Sequence, residues 1–536
     1  MKVSKPWKIV LAVVICAVLV YSSIFAAGLI WVSRHGRQVI LQQIQKQFHG
    51  DVQLDSLNIK VHPYVQITGT GVLVYFPGRH DLAPLISIKS FTVEASWLAL
   101  WRLPRHISHI TLVGLQITIP AGLHRDQVVE QHPRRRFSLG GRFHDIYMDD
   151  IQADDATLTI LPKQAGKEPR VYDIASFNAH STSGNGRLGF QATLRIPVPP
   201  GNVISDGSFG PWDGDAPGQT PVSGSYTYDN ADLGHFKGIS GILSSKGSYD
   251  GVIERIGVDG TTDTPDFSVD SGGHQVDLTT TFHAIVDGAN GDTTLDPVDA
   301  HFRHTTLHCT GIVAGTPGQK GKTVRLHITT AGARMEDLLL LAVKDEPAMT
   351  GDVHLDTAFL LPPKSKDDVL HRLFLDSTFN VDKVVFTSQG VEQKVDKLSM
   401  RSRGQHGDVP DGDNIASEMQ GRFRLQDGVI TFSDLNFSVP GAHVHVVGTF
   451  GLDNQALDFH GTFDMQASLS QTQTGVKSFL LRAVNPFFAK PGGGSRIPFK
   501  IGGTEKFPIY SLDLHRKRED QADDPKKSTT ASVPGN

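Results

Sequence analysis

The sequence predicts a mainly β protein: many hairpin-linked strands with few short helices, behind one N-terminal membrane helix. Three observations carry this reading. From about Asp51 onward apolar residues recur with a period of two, the spacing of a half-buried strand. Gly, Asp or Pro interrupts nearly every such run, as tight turns require, and 54 of the 536 residues are glycine. Ahead of the strands, Ile9 to Val32 is apolar except for Tyr21, Ser22, Ser23 and Gly28.

That first run is long enough to cross a hydrocarbon core of about 30 Å at about 1.5 Å per helical residue. Lys2, Lys5 and Lys8 precede it, Arg34 and Arg37 follow it, and Trp7 and Trp31 sit at its ends, where aromatic belts form. A cleaved signal would have an apolar region of about 7–15 residues and small residues before the cut. Here the run continues through Leu29, Ile30 and Trp31, and cutting after Ala26 or Ala27 would put Ile24 or Phe25 at the −3 position. Residues 1–33 therefore read as an uncleaved anchor, spanning the membrane with residues 9–32.

Composition narrows the remainder. Hydrophobic residues make up 39% and charged residues 20%, which excludes both a disordered chain and a multi-span membrane protein. A net charge of −5 gives no basic face for nucleic acid. Of the two cysteines, Cys16 lies inside the apolar run, so it cannot pair with Cys309, and no cysteine zinc site can be built.

Beyond the anchor, residues 34–50 read as a short amphipathic helix with Val39, Ile40, Ile44 and Phe48 on one stripe. Alternating runs then follow one another, with a bulge expected between Ile88 and Phe91, where the pattern changes phase. A weak echo links Leu115–Pro120 with Ala156–Pro162. Residues 121–140, with Arg134, Arg135 and Arg136, read as a polar connection, and the Pro/Gly-rich 199–221 as a loop or boundary. Two later segments read as helical: Met335 to Val343, and Val476 to Val484 ahead of Pro486. The division is 34–200 for a first β region, 201–514 for a second, and 515–536 for a charged, Ser/Thr/Pro-rich tail whose composition predicts disorder.

So many half-apolar strands with so few helices pose a physical problem. The sheet must close on itself as a sandwich or barrel, or leave its apolar face to an apolar ligand.

Chemical motifs are scarce. Gly315–Thr323 has phosphate-loop composition, but five residues rather than four separate Gly315 from Gly321, and it lies between strand-like runs, so a hairpin is expected. His443 and His445 would share a strand face, and His301, His304 and His308 cluster in sequence, but no further ligand is specified. The three arginines could meet lipid phosphates, with a solvated loop as the plainer reading. No nucleophile elbow occurs. The reading is of a protein without catalytic, cofactor or metal site.

The order of segments near the C-terminus carries a resemblance. Phe423-Arg-Leu-Gln-Asp-Gly-Val-Ile-Thr-Phe432 precedes Phe437-Ser-Val-Pro-Gly-Ala442, Val444-His-Val-Val-Gly-Thr-Phe450 and Leu457-Asp-Phe-His-Gly461. The Val476–Ala489 segment with Pro486-Phe-Phe leads to Ile497-Pro-Phe-Lys-Ile-Gly-Gly-Thr504. This order resembles the C-terminal region of the AsmA-like family. The N-terminal order (membrane helix, amphipathic segment, Val65-Gln-Ile-Thr-Gly69, Ile86-Ser-Ile-Lys-Ser90) resembles the chorein-like start of the same proteins.

The resemblance implies an inner-membrane anchor with the bulk in the periplasm, a long curled antiparallel sheet open as an apolar groove that holds or conducts phospholipid, and a part in outer-membrane lipid homeostasis. With about 25–30 strands at ~4.8 Å the groove would run roughly 120–145 Å. Groove-facing candidates are Val72, Val74, Phe76, Ile86, Ile88, Phe91, Val93, Ile110, Leu112, Leu115, Ile117, Ile119, Leu194 and Ile196. Val476, Phe479, Leu480 and Phe487 are candidates for a cap at the groove end. The alternative is an envelope assembly scaffold that binds proteins through sheet edges and loops.

Overall fold

A computed structural model of the chain describes residues 52–513 apart from 61–63, 76–82, 97–104, 120–145, 162–168, 183–185, 212–216, 317–318, 320, 364–368, 405–416 and 468–492. The anchor, the amphipathic segment, the three-arginine connection, the Val476 to Val484 helix and the tail lie outside the described residues.

Within them, 27 strands form one sheet and two short ones form another. Most strands pair with the next along the chain, a repeated hairpin in which local turns set the register. At Asp427-Gly428, for example, φ is 51° and 71°, the two left-handed positions that a two-residue hairpin demands, and Gln426 pairs directly with Val429. Four short strands share a row with a neighbour, so the 27 strands fill 23 rows. At about 4.8 Å per row the sheet runs roughly 105 Å along its hydrogen bonds, shorter than the strand count alone implies.

The sheet is antiparallel with one exception. Ile151–Ile160 runs parallel to both His109–Val113 and Gln116–Ile119, and the separate pair Arg105–Ile107 with Ile146–Met148 is parallel as well. The expected phase change is present and crosses several strands at one level. Gly71 (φ 67°), Gly114 (φ 64°) and Asp155 (φ 51°) take left-handed backbone there, and a bulge separates Ile174 from Ser176.

Two expectations fail. Residues 199–221 are not a loop throughout, because Pro200–Phe209 is a full strand paired on both sides. Its inner positions are Gly201, Val203, Ser205, Gly207 and Phe209, too small and polar to show an apolar period. Two α-helices of the described residues also went unread. Met335–Ala342 (α1) is helical as expected, while Val369–Arg372 (α2) is one turn and Gln389–Ser402 (α3) is a longer helix. The buried stripe of α3 is Asp396, Ser399 and Ser402 rather than an apolar row. Ser399 Oγ donates to the Pro440 carbonyl at 2.6 Å, so this helix is seated by polar contacts that a hydrophobic period cannot reveal.

Candidate functional site

Directly paired residues of neighbouring strands point to the same face, so the register defines the two faces without ambiguity. One face is apolar towards both ends of the sheet and carries hydroxyl-bearing side chains in its middle rows. Val74, Ile86 and Ile117 lie in line, as do Ile67, Val93 and Ile110, and Gly69, Phe91 and Leu112. From Ile117 the line passes to Leu158 and Tyr172, while one step along the same face Ala156 pairs with Ile174 and Ile174 with Leu194, and Ile196 pairs with Gly201. Far along, Leu425, Ile430, Phe450 and Leu457 form another such row.

The candidates Val72, Val74, Ile86, Ile88, Phe91, Val93, Ile110, Leu112, Leu115, Ile117, Leu194 and Ile196 therefore share this face. Leu115, buried between two strands, packs with Ile86, Ile88, Leu112, Ile117, Ile174 and Phe177. Ile119 pairs with Ile160, which puts its backbone in the same line. Phe76 and the cap candidates Val476, Phe479, Leu480 and Phe487 lie outside the described residues.

The opposite face is polar and wet. Its side chains pair across strands: Asp259 with His283 at 2.7 Å, Asp356 with His327 at 3.0 Å, and Asp464 with Arg496 at 2.7 Å. Asp376 accepts from both Arg422 and Arg424 at 2.9 and 2.8 Å, and these guanidiniums hold its carboxyl below the usual range. Exposed pairs of this kind contribute little each; they keep this face in water.

Among the described residues no second layer covers most of the apolar face. Its large side chains, including Phe379, Phe423, Phe432, Phe459 and Phe499, are half-buried rather than enclosed. Buried apolar residues gather into three small clusters, and others, such as Phe302 and Ala231, are buried outside them. In one, α1 lays Met335 and Leu338 against Val353 and Val381. In another, Ile253 and Ala289 from turns of the middle strands meet Ile117, Leu158, Tyr172 and Phe209. Ile117 is several rows away from Ile253, so the sheet curls toward its apolar side.

Aromatic rings tile this face over glycines, an arrangement that the strand periodicity did not reveal. A Cβ on Gly69 would lie 2.4 Å from the Phe91 ring, on Gly201 2.5 Å from Tyr228, and on Gly461 2.6 Å from Phe499. Each ring lies flat across the neighbouring strand because no side chain stands there. Phe379, Phe423, Phe432 and Phe459 form a continuous ladder with centroids 6.1, 6.0 and 5.9 Å apart.

In the middle rows the tiles are tyrosines. Burial pushes the hydroxyls of Tyr226, Tyr228 and Tyr249 above the usual phenol value, so they are neutral donors. The signal available in sequence was Gly224-Ser-Tyr226-Thr-Tyr228 and Gly247-Ser-Tyr249, alternating on one face.

The other constellations disperse. Gly315–Thr323 spans a hairpin connection, with Gly315 paired to Lys322. His301 contacts Thr306 at 3.1 Å, His304 lies 3.7 Å from Asp337, and His308 bonds Asp299, so the three serve separate partners. His443 and His445 share the polar face but bond Ser438 and Asn436. No group of three or more ligating side chains gathers among the described residues. No family model, curated protein or solved structure matches the chain.

Proposed function

We propose that the chain holds or conducts phospholipid along the apolar face of its sheet, anchored in the inner membrane through residues 9–32 and working in the periplasm in support of outer-membrane lipid homeostasis. The observation that supports this is the apolar face itself, lined by half-buried Val, Ile, Leu and Phe with no covering layer over most rows of the described residues. Such a face in water is costly, and each acyl CH₂ laid on it removes about 0.8 kcal/mol of unfavourable contact. Polar side chains on the opposite face leave one route for the tails. Direction would come from partners.

Lipid extraction and mass spectrometry of the full chain, purified in detergent and washed, test this reading. Phospholipid retained in fixed proportion to protein is expected. Well-folded protein that repeatedly carries none would overturn it.

One observation favours the scaffold alternative. The last strand, Phe507–Leu512, is exposed along its whole length, with Phe507 at 78% and Tyr510 at 71%. Its outer edge is unpaired among the described residues, and such an edge can take a strand from another protein. Crosslinking from Tyr510 to a protein partner, with no lipid on the washed chain, would favour it.

A further inference from the structure

The apolar face changes character in the rows from Pro200–Phe209 to Val276–Val286. Ser205, Tyr226, Tyr228, Ser245, Tyr249, Thr262 and Thr280 all project there, as their pairings show. Most of these hydroxyls have their protons committed. Ser205 donates to the Ser225 carbonyl at 3.1 Å, so its 2.7 Å contact with Tyr249 has the phenol as donor. Ser245 donates to the Thr261 carbonyl at 3.0 Å, so Tyr226 donates to Ser245 across 3.1 Å. Tyr228 donates to the Pro199 carbonyl at 2.6 Å.

The threonines differ. Thr262 and Thr280 are direct cross-strand partners whose hydroxyls lie 2.7 Å apart. That single bond uses one of their two protons, and no acceptor among the described residues takes the other. Both threonines are half-buried on this face, and an unmatched hydroxyl proton there costs free energy until a partner arrives. A surplus of donors calls for an acceptor. The acceptor is neutral, because no Lys or Arg projects onto this face in these rows and an unpaired phosphate would be desolvated without compensation. Beyond the threonines the face is again aliphatic, with Val298, Leu307 and Ile328 in the next rows.

We propose that Thr262 and Thr280 form a binding point for the ester carbonyl of a glycerolipid, whose acyl chain lies over Val298, Leu307 and Ile328. This rests on the lipid reading above and adds a preference to it: the middle of the groove recognises ester-linked chains over otherwise identical ether-linked ones.

The test is a competition. Full-length protein in detergent, stripped of lipid, is loaded from vesicles holding equal amounts of diester and diether phosphatidylcholine with the same chains, and the bound lipids are counted by mass spectrometry. The diester form should be enriched about five-fold, the worth of one net hydrogen bond. In the double variant T262V/T280V, whose β-branched side chains keep the strand shape, the ratio should fall to about one. A wild-type ratio near one overturns the proposal without recourse to any variant, as does a preference that the double variant retains. Retention of both lipids without preference removes this inference alone; retention of neither removes the groove reading with it.

Discussion

Ile117 lies directly opposite Leu158 in a parallel pairing, 41 positions further along the chain. The same offset relates Arg105 to Ile146 and Ile110 to Ile151. The weak echo between Leu115–Pro120 and Ala156–Pro162 is therefore also a physical adjacency, with Thr118 beside Thr159 and Ile119 beside Ile160. A parallel pair needs a crossover of about a dozen residues or more, and residues 120–145 make that connection. Like residues stack on like, so the apolar line passes through this switch of direction unbroken.

The aromatic ladder gives the most direct test of the groove. Phe432 stands half-buried between Phe423 and Phe459 on the apolar face, while Thr431 beside it faces water. Phe432→Asp puts a carboxylate on the lipid track and should cut co-purified phospholipid by more than half. Thr431→Asp, on the same strand, should leave it unchanged. Lipid per mole of protein, read together with melting temperature, separates the two.

Gly421 lets the Phe379 ring lie flat. A Cβ there would stand 2.5 Å from the Asp434 carbonyl oxygen and 3.2 Å from the ring. Backbone cannot retreat as a side-chain end can, so Gly421→Ala should destabilise the protein by about 1–3 kcal/mol, the usual range for overpacking. Chemical denaturation of the full chain would show it as an earlier midpoint.

Acid sensitivity should reside partly at Asp376. Its folded carboxyl is held low, chiefly by hydrogen bonds from Arg424 and then Arg422. A depressed value stabilises the fold above the unfolded carboxylate value of about 3.9, and that stability is lost as pH falls through the folded one. Asp376→Asn should lower stability at neutral pH and flatten the loss below about pH 4. Melting temperature against pH for both proteins checks the sign.

Cys309 is a built-in reporter. It pairs with Val298 and Ile328 on the apolar face, and burial followed by the charge of Asp299 raises its thiol above the usual value. Alkylation should be slow at pH 7, because little thiolate forms, and slower still when lipid covers the face. Rates measured before and after delipidation, with Cys16 replaced by Ser, should differ several-fold.

Much of the face was legible in sequence because alternation is a strict code. Ile67, Val72, Val93 and Ile117 announce their side by period, and the phase change between Ile88 and Phe91 marks the left-handed kink at Gly71, across which the two strands keep one register with no bulge. The code fails where the inner face is not greasy. Pro200–Phe209 hides because its inner residues are small partners for tyrosine rings, and Gln389–Ser402 hides because Asp396 and Ser399 are its buried stripe. The tyrosine tiles and the threonine donors need register, which fixes who stands opposite whom, and no single strand contains that information.

A sheet in which nearly every strand bonds only to its predecessor and successor behaves as a one-dimensional stack. Damage in one hairpin is felt by its neighbours and little beyond them, so local opening can proceed while distant rows keep their shape. By the same logic, a hairpin inserted or removed between two others would lengthen or shorten the array without rewriting the rest. Span, in such a molecule, is a quantity that evolution can adjust one pair of strands at a time.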